Sequence, residues 1–593
     1  MKKLHGLLPF AYAICLFFLV FGAKSWILEH YSSDLPNWDQ WDAEATNLLL
    51  PYFRHELSFV DLFKPHNEHR IFLTKALNLG LVLLGGQWDA RAECVANAIL
   101  HSALAAGVYL AGRRLLKSRW HIPLFVMCAI VFGLPISWQN ILGGLHSAQS
   151  FLLWFSLATI WLLCTSRTYS LGWWAGLFTA VLANFSLGSG FFAAASVAAV
   201  LILRTLLRHI SWRESLPTLG ACSIAVAVGL VMRVPYPGHD FLKARSFREF
   251  ELTFLHCIRW PNIGSPEHRP RDFRPRIVYI IYIPLILLAW QSLCQKSKAL
   301  IDQNVILVAG AWLFLQCAAT AYARGADASW PASRYLDTLA FGLLVNGVAL
   351  AFLFDHAKPF AGRCLFIVLC LFSLTWIAVV THGLWQQTRI VITKDLPEEG
   401  VRLRDCEQSV RAYLRTGDIA HLSNHVIPYP SAAELSERLS HPEIRAVMPT
   451  GVRAPLQQND SAASPAVFTP ILGGYLKIQP VHDVVDSALT LSTIDAKTGK
   501  TLYKIEATRE PGARWRPIYL PVPSRPVQLV ASGRNSADRP AFIEPVEMST
   551  FSFLTMQLVK QAELIFFSAL AVLSLLGGIH LIYFRRSNKS PRD

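Results

Sequence analysis

The chain has 593 residues, of which 53% are hydrophobic and only 16% charged, and a mean hydropathy of +0.35. Soluble proteins are nearer a quarter charged, so this composition excludes a string of ordinary soluble domains and assigns most of the length to a membrane bundle. The net charge of +15, from 55 Lys+Arg against 40 Asp+Glu, is dispersed through loops between apolar runs. That pattern speaks for orientation signals and contact with lipid phosphates, and against a nucleic-acid partner.

The first apolar run starts at a basic N-terminus, and no small-residue cleavage site follows it. It reads as a retained first helix with its N-terminus inside. Hydropathy then predicts about twelve spans, at 8–27, 93–112, 122–138, 148–164, 171–187, 190–206, 214–232, 276–293, 302–320, 336–354, 362–381 and 559–584. The apolar segment 71–84 is too short to cross and suits an interfacial or re-entrant helix. Leaving it uncrossed puts short basic loops on one side, Arg113-Arg114 and Arg204…Arg208 among them. Both termini then lie in the cytoplasm of a cell whose inner membrane holds the protein. The large loops 28–92 and 233–275 and the block 383–558 lie outside. Of the 11 cysteines, Cys257 and Cys406 fall in outer segments and are candidates to pair.

The block 383–558 is helical in pattern first (Leu403–Leu414, Ser431–Leu439). It then alternates in short strands at Tyr475–Pro480, Leu489–Thr493, Thr501–Ile505 and Val527–Ala531. The expected division is a transmembrane module 1–382, an extracytoplasmic α+β domain 383–558 containing a β-sandwich, and a final span with a basic tail, 559–593.

The first outer loop opens Asn37-Trp38-Asp39-Gln40-Trp41-Asp42-Ala43-Glu44. In a helix, Asp39 and Asp42 share a face, and Trp38 and Trp41 would seat that turn in the interface. Paired carboxylates beside a low-dielectric boundary have separable proton affinities, which suits one for general-base work. The plainer reading is an acidic helix N-terminus complementing its dipole. Glu44 stands one turn on as a substrate-binding candidate.

Lys64-Pro65-His66-Asn67-Glu68-His69-Arg70 follows, directly before segment 71–84. Lys64, His66, His69 and Arg70 suit a phosphate, and Glu68 a substrate hydroxyl. A divalent metal ion on His66 and His69 is another reading, although the spacing lacks the i,i+4 histidine pair of zinc proteases. A snorkelling interfacial collar is the bland one.

Farther along, Arg324 and Arg334 flank a short outer loop ending at Tyr335. They form either a clamp for a phosphate leaving group or an ordinary interfacial pair. Gln139, Asn140, His146 and Gln149 gather at an outer span end, where they bind sugar hydroxyls or satisfy helix ends. The loop 233–275 carries Arg233, Lys243, Arg245, Arg248, Arg259, Arg269, Arg271 and Arg274. Trp515 and Tyr519 in the outer domain suit carbohydrate contact.

This order of features resembles the GT-C superfamily of membrane glycosyltransferases: an outward acidic turn, Lys64-Pro65 ahead of a short apolar helix, Gly85-Gly86, and a span ending at Arg113-Arg114. Within it, the layout is similar to the protein O-mannosyltransferase and aminoarabinose-transferase branch. The detailed resemblance covers roughly the first 120 residues. It departs where those families show Asp-Glu in the acidic turn and a run of prolines in place of His66–Arg70. The resemblance implies a GT-C-like fold and a sugar donor carried on a polyprenyl phosphate. It also implies an acceptor hydroxyl on a glycan, lipid or protein, deprotonated by a carboxylate, and transfer with inversion. By position Asp39 is the favoured base and Asp42 the alternative. Two rival expectations are a lipid-linked glycan polymerase or ligase, and a flippase or transporter.

Overall fold

The computed structural model describes residues 2–262, 276–294, 301–356, 362–456, 467–480, 488–508, 516–531 and 545–587. Arg269, Arg271, Arg274 and Trp515 lie outside them. Among the described residues, eight helices are long and apolar enough to cross a membrane: 7–31, 90–115, 118–142, 144–165, 212–231, 301–323, 333–356 and 366–416. Such runs wind into helices because hydrocarbon offers backbone groups no other partner. A ninth crossing is present if Thr550–Lys560 and Ala562–Gly578, bent by 51°, count as one span.

The expectation of twelve spans is corrected at three places. Segments 171–187, 190–206 and 276–293 form the short helices Leu171–Asn184, Phe192–Leu206 and Tyr279–Cys294. At 14 residues the first is about 21 Å long, short of a roughly 30 Å hydrocarbon core. The first two runs are apolar end to end, but Ser186, Gly188, Ser189 and Gly190 break them with a turn. Both short helices still bury Ala180, Ala193 and Val197 in the main core. Segment 71–84 forms the 14-residue helix Phe72–Gly85, which stops at Gly86 in the left-handed region (φ 63°).

Small residues set the closest helix contacts. A Cβ on Gly22 would lie 2.9 Å from the Phe566 backbone, so glycine there lets helix 7–31 lie against the last helix.

Helix 366–416 carries the chain out of the bundle and ends at Gly417 (φ 72°). Beyond it, helices Ala432–Ser440 and Pro442–Val447 pack on the first loop. Trp41, Leu49, Val82 and Trp88 share one apolar core with Cys406, Val410, Leu435 and Leu439. Trp41 is fully buried edge-on to Trp88, not an interface anchor as expected; Trp38 alone stays exposed.

Two small antiparallel sheets follow, with orders β1-β6-β3-β4 and β5-β2-β7. Their strands are β1 Val467–Phe468, β2 Gly474–Ile478, β3 Ala488–Asp495, β4 Thr501–Thr508, β5 Ile518–Val522, β6 Val527–Ala531 and β7 Val546–Ser549. Alternating Leu489, Leu491, Leu476, Ile478 and Leu520 bury one apolar cluster between them. Among the described residues, the outer domain's strands form these two small sheets, of four and three short strands, and not the sandwich expected. Cys257 and Cys406 are not paired: both are free and buried, Cys257 in the bundle core beside Cys317 and Cys406 in the outer core.

Candidate functional site

The first loop positions its polar groups through two tight turns. Trp38 takes a positive φ of 52°, and the chain then enters a wide, π-wound helix at Trp41–Leu49. Asp39 sits before that winding and accepts the Ala43 N–H at its carbonyl (2.8 Å), leaving its side chain free and 61% exposed. The second turn is closed by reciprocal backbone bonds between His66 and His69 (2.8 and 3.0 Å), with Asn67 in the left-handed region. His66 is thereby buried against Asp39, Nε2 lying 3.8 Å from Oδ2.

His146 and Arg334 also bear electrostatically on Asp39. Contact with His66 first, with His146 and the Arg334 guanidinium adding to it, holds the Asp39 carboxyl below its usual range. It is ionised at neutral pH and faces the Arg334 guanidinium.

A second cluster centres on Glu68. It bonds Arg324 (2.5 Å) and His239 (2.6 Å) and lies 3.7 Å from His69. Burial alone would raise its pKa, but His69 and Arg324 carry it down to about 2. Burial dominates at His69 and takes its imidazole down to about 4, so it is neutral at pH 7. There Nδ1 accepts the Gly188 N–H (3.1 Å). Tyr335 lies beside Arg324 and under the Arg334 guanidinium, 5.3 Å from the ring centre. The Arg334 carbonyl is held by Asn140 (2.9 Å) and its N–H by Gln139 (3.2 Å). Gln139 and Asn140 therefore hold backbone.

The predicted residues Asp39, His66, Glu68, His69, His146, Arg324, Arg334 and Tyr335 thus meet at one end of the bundle, drawn from three distant segments. Others point away. Asp42 turns to the outer helices, where it pairs with Arg438 (2.5 Å) and Tyr429 (3.0 Å). The wide π winding separates it from Asp39, so the two carboxylates do not share a face as expected. Glu44 is 1% exposed in a polar knot: it takes hydrogen bonds from Trp88 (2.6 Å) and Asn78 (2.8 Å) and lies beside Glu93. Burial raises its pKa, and it offers no surface to a substrate. Lys64 is exposed and pairs locally with Asp61 (2.6 Å). Arg70 is tied to the carbonyls of Phe63 (2.8 Å) and Met232 (3.3 Å). Gln149 is half-buried on helix 147–165.

Among the described residues, no group of three His, Cys, Asp or Glu is arranged for a metal ion. The His66–His69 metal reading fails on direction, since His66 faces Asp39 and His69 faces Gly188.

Two features escaped the sequence. His239 has no local motif, and its partner Glu68 is 171 residues away. Lys24, His101 and Asp337, from three different spans, meet buried in the bundle, with His101 3.4 Å from Asp337. The only signal available was one ionisable residue inside each of three apolar runs.

No protein-family model matches this chain, and no curated protein or solved structure matches it either.

Proposed function

We propose that this protein is a membrane glycosyltransferase that moves a sugar from a polyprenyl-phosphate donor to an acceptor hydroxyl, with inversion. The observation that supports it best is Asp39: an ionised, solvent-facing carboxylate beside His66, His146 and Arg334. In this reading the acceptor oxygen bonds to the anomeric carbon while its proton passes to Asp39. The bond from that carbon to the phosphate oxygen breaks, and the electron pair leaves with the lipid phosphate. Arg334 and His146 stabilise the charge that develops there. Arg324 and Tyr335 flank the same space, and Glu68 fixes Arg324. The GT-C-like architecture, with 383–558 as an outward-facing domain, belongs to the same proposal, as does an inner-membrane location with both termini cytoplasmic.

The test is transfer of labelled sugar from a polyprenyl-phosphate donor by purified protein in proteoliposomes. Asp39→Asn should lower the rate about 100- to 10,000-fold, whereas Asp42→Asn should stay within about tenfold. Normal transfer by Asp39→Asn ends the proposal. A second reading, a transporter or flippase of lipid-linked glycans, draws on the buried Lys24–His101–Asp337 cluster. Movement of labelled lipid-linked sugar across liposomes without transfer would select it. Polymeric products from a defined donor would instead select a polymerase or ligase.

A further inference from the structure

Where helix 212–231 ends, its last residues and the turn joining helices 171–184 and 192–206 enclose a cleft. Its polar wall is Glu68, Arg70, Arg233 and Asn184, and its apolar wall includes Leu187 and Phe191. Four observations bear on what it takes. Arg70 is fixed through Nη1 and Nε to the Phe63 and Met232 carbonyls, so its guanidinium is held in place before any ligand arrives. Arg233 is exposed just past the span. Asn184 is 7% exposed; its Nδ2 donates to the Ala225 carbonyl (3.3 Å), which leaves Oδ1 buried with no donor. Finally, Val231, two residues before Arg233, is 85% exposed at the end of an apolar span, a surface suited to acyl chains.

We infer that this cleft binds the headgroup of an anionic membrane lipid that carries hydroxyl groups. The two arginines meet the phosphate, as basic pockets between spans do. A headgroup hydroxyl donates to Asn184 Oδ1 or Glu68, which removes the cost of a buried unsatisfied acceptor. The cleft holds about 10 Å³, room for one water or one hydroxyl. The rest of the lipid therefore lies along the bundle, with its first methylenes on Leu187 and Phe191. Glu68 sets the selectivity, because it repels a second negative charge and accepts from a neutral hydroxyl. The site does not rest on the sugar-transfer reading.

The experiment is native mass spectrometry of the intact protein titrated with phosphatidylglycerol, phosphatidic acid or phosphatidylcholine, with no sugar donor present. Phosphatidylglycerol should bind best. Arg233→Gln should weaken it about fivefold, the effect of one arginine at a lipid surface, and leave phosphatidylcholine unchanged. Asn184→Ala should narrow the preference for phosphatidylglycerol over phosphatidic acid, because it removes one acceptor for the headgroup hydroxyl and leaves the Glu68 repulsion in place. Melting temperature reports whether each variant folds, and Arg233→Gln, a surface change, carries the test if Asn184→Ala does not. Equal binding of phosphatidylglycerol and phosphatidylcholine, or an undiminished Arg233→Gln, overturns the inference. Because no transfer is measured, a failure here leaves the Asp39 proposal untouched, and the reverse also holds.

Discussion

Asp39 and Asp42 differ in their partners more than in their chemistry. Asp42 joins the first loop to Arg438, a pair 36% and 15% exposed. Such partly exposed pairs contribute about 0.2–1 kcal/mol, so a double-mutant cycle of Asp42→Asn and Arg438→Gln should give a coupling in that range by thermal unfolding in detergent. The Glu68 cluster gives a pH signature whose sign follows from its shifts. His69 falls from 6.5 to about 4 on folding, so it binds fewer protons in the folded state. Its stabilisation is complete above pH 6.5 and is lost as pH falls toward 4. Glu68 falls from 4.5 to about 2, so its contribution is complete above pH 4.5 and is lost between there and 2. Melting temperature should therefore drop in two acid steps; His69→Gln should remove the upper one and, because His69 helps hold the Glu68 pKa down, shrink the lower one. Which acidic and basic residue types form the site was legible in the sequence. Their pairing was not, because Arg324 reaches Glu68 across 256 residues.

The element that ties the loop down is the knot of Glu44, Glu93, Gln40, Asn78 and Trp88. Gln40 donates to both carboxyls, at 3.4 and 2.7 Å, and it is the neighbour of Asp39. Burial raises the Glu44 pKa, so between its ordinary and its raised value the folded state binds more protons than the unfolded chain. Its sign is opposite to that of Glu68: stability is complete below pH 4.5 and declines as pH rises toward the raised value. Glu44→Gln should therefore raise the melting temperature at pH 8 and change it little at pH 4. An unchanged melting temperature at pH 8 would mean that burying the Glu44 carboxylate costs the fold nothing. Trp88 adds packing to that bond: it is fully buried in the core shared with Leu435 and Leu439. Trp88→Ala should cost about 3–5 kcal/mol, read as lower resistance to thermal unfolding. The helix Phe72–Gly85 was legible from its apolar character and its length. The π winding at Trp41–Leu49 was not, since no local residue pattern specifies it.

Across the whole molecule, the bundle core and the outer core meet through the first loop, and Trp88 donates its backbone N–H to the Val447 carbonyl (2.6 Å). This places residues 38 and 498 on one side of the membrane and the loop at Arg119 on the other. Single cysteines introduced at Trp38, Thr498 and Arg119, labelled in intact cells with an impermeant maleimide, should react at the first two and not at the third. Labelling at all three, or at Arg119 alone, would reverse the assignment. The span count was over-read for a physical reason. A hydropathy window counts apolar side chains, and the turn at Ser186–Gly190 barely lowers that count while it ends a helix.

The sequence by itself determined that the protein is polytopic. It also determined where eight of the spans run, and that an acidic, histidine- and arginine-bearing loop sits between the first two. Each of these follows from side chains close in the chain, where burial in hydrocarbon and helix geometry act locally. Only the tertiary structure decided that Asp39 faces His66 while Asp42 faces Arg438, that Glu44 is buried with Glu93, and that Lys24, His101 and Asp337 meet. Those outcomes depend on contacts across tens to hundreds of residues, where what a charged side chain does is set by the partner that folding brings to it.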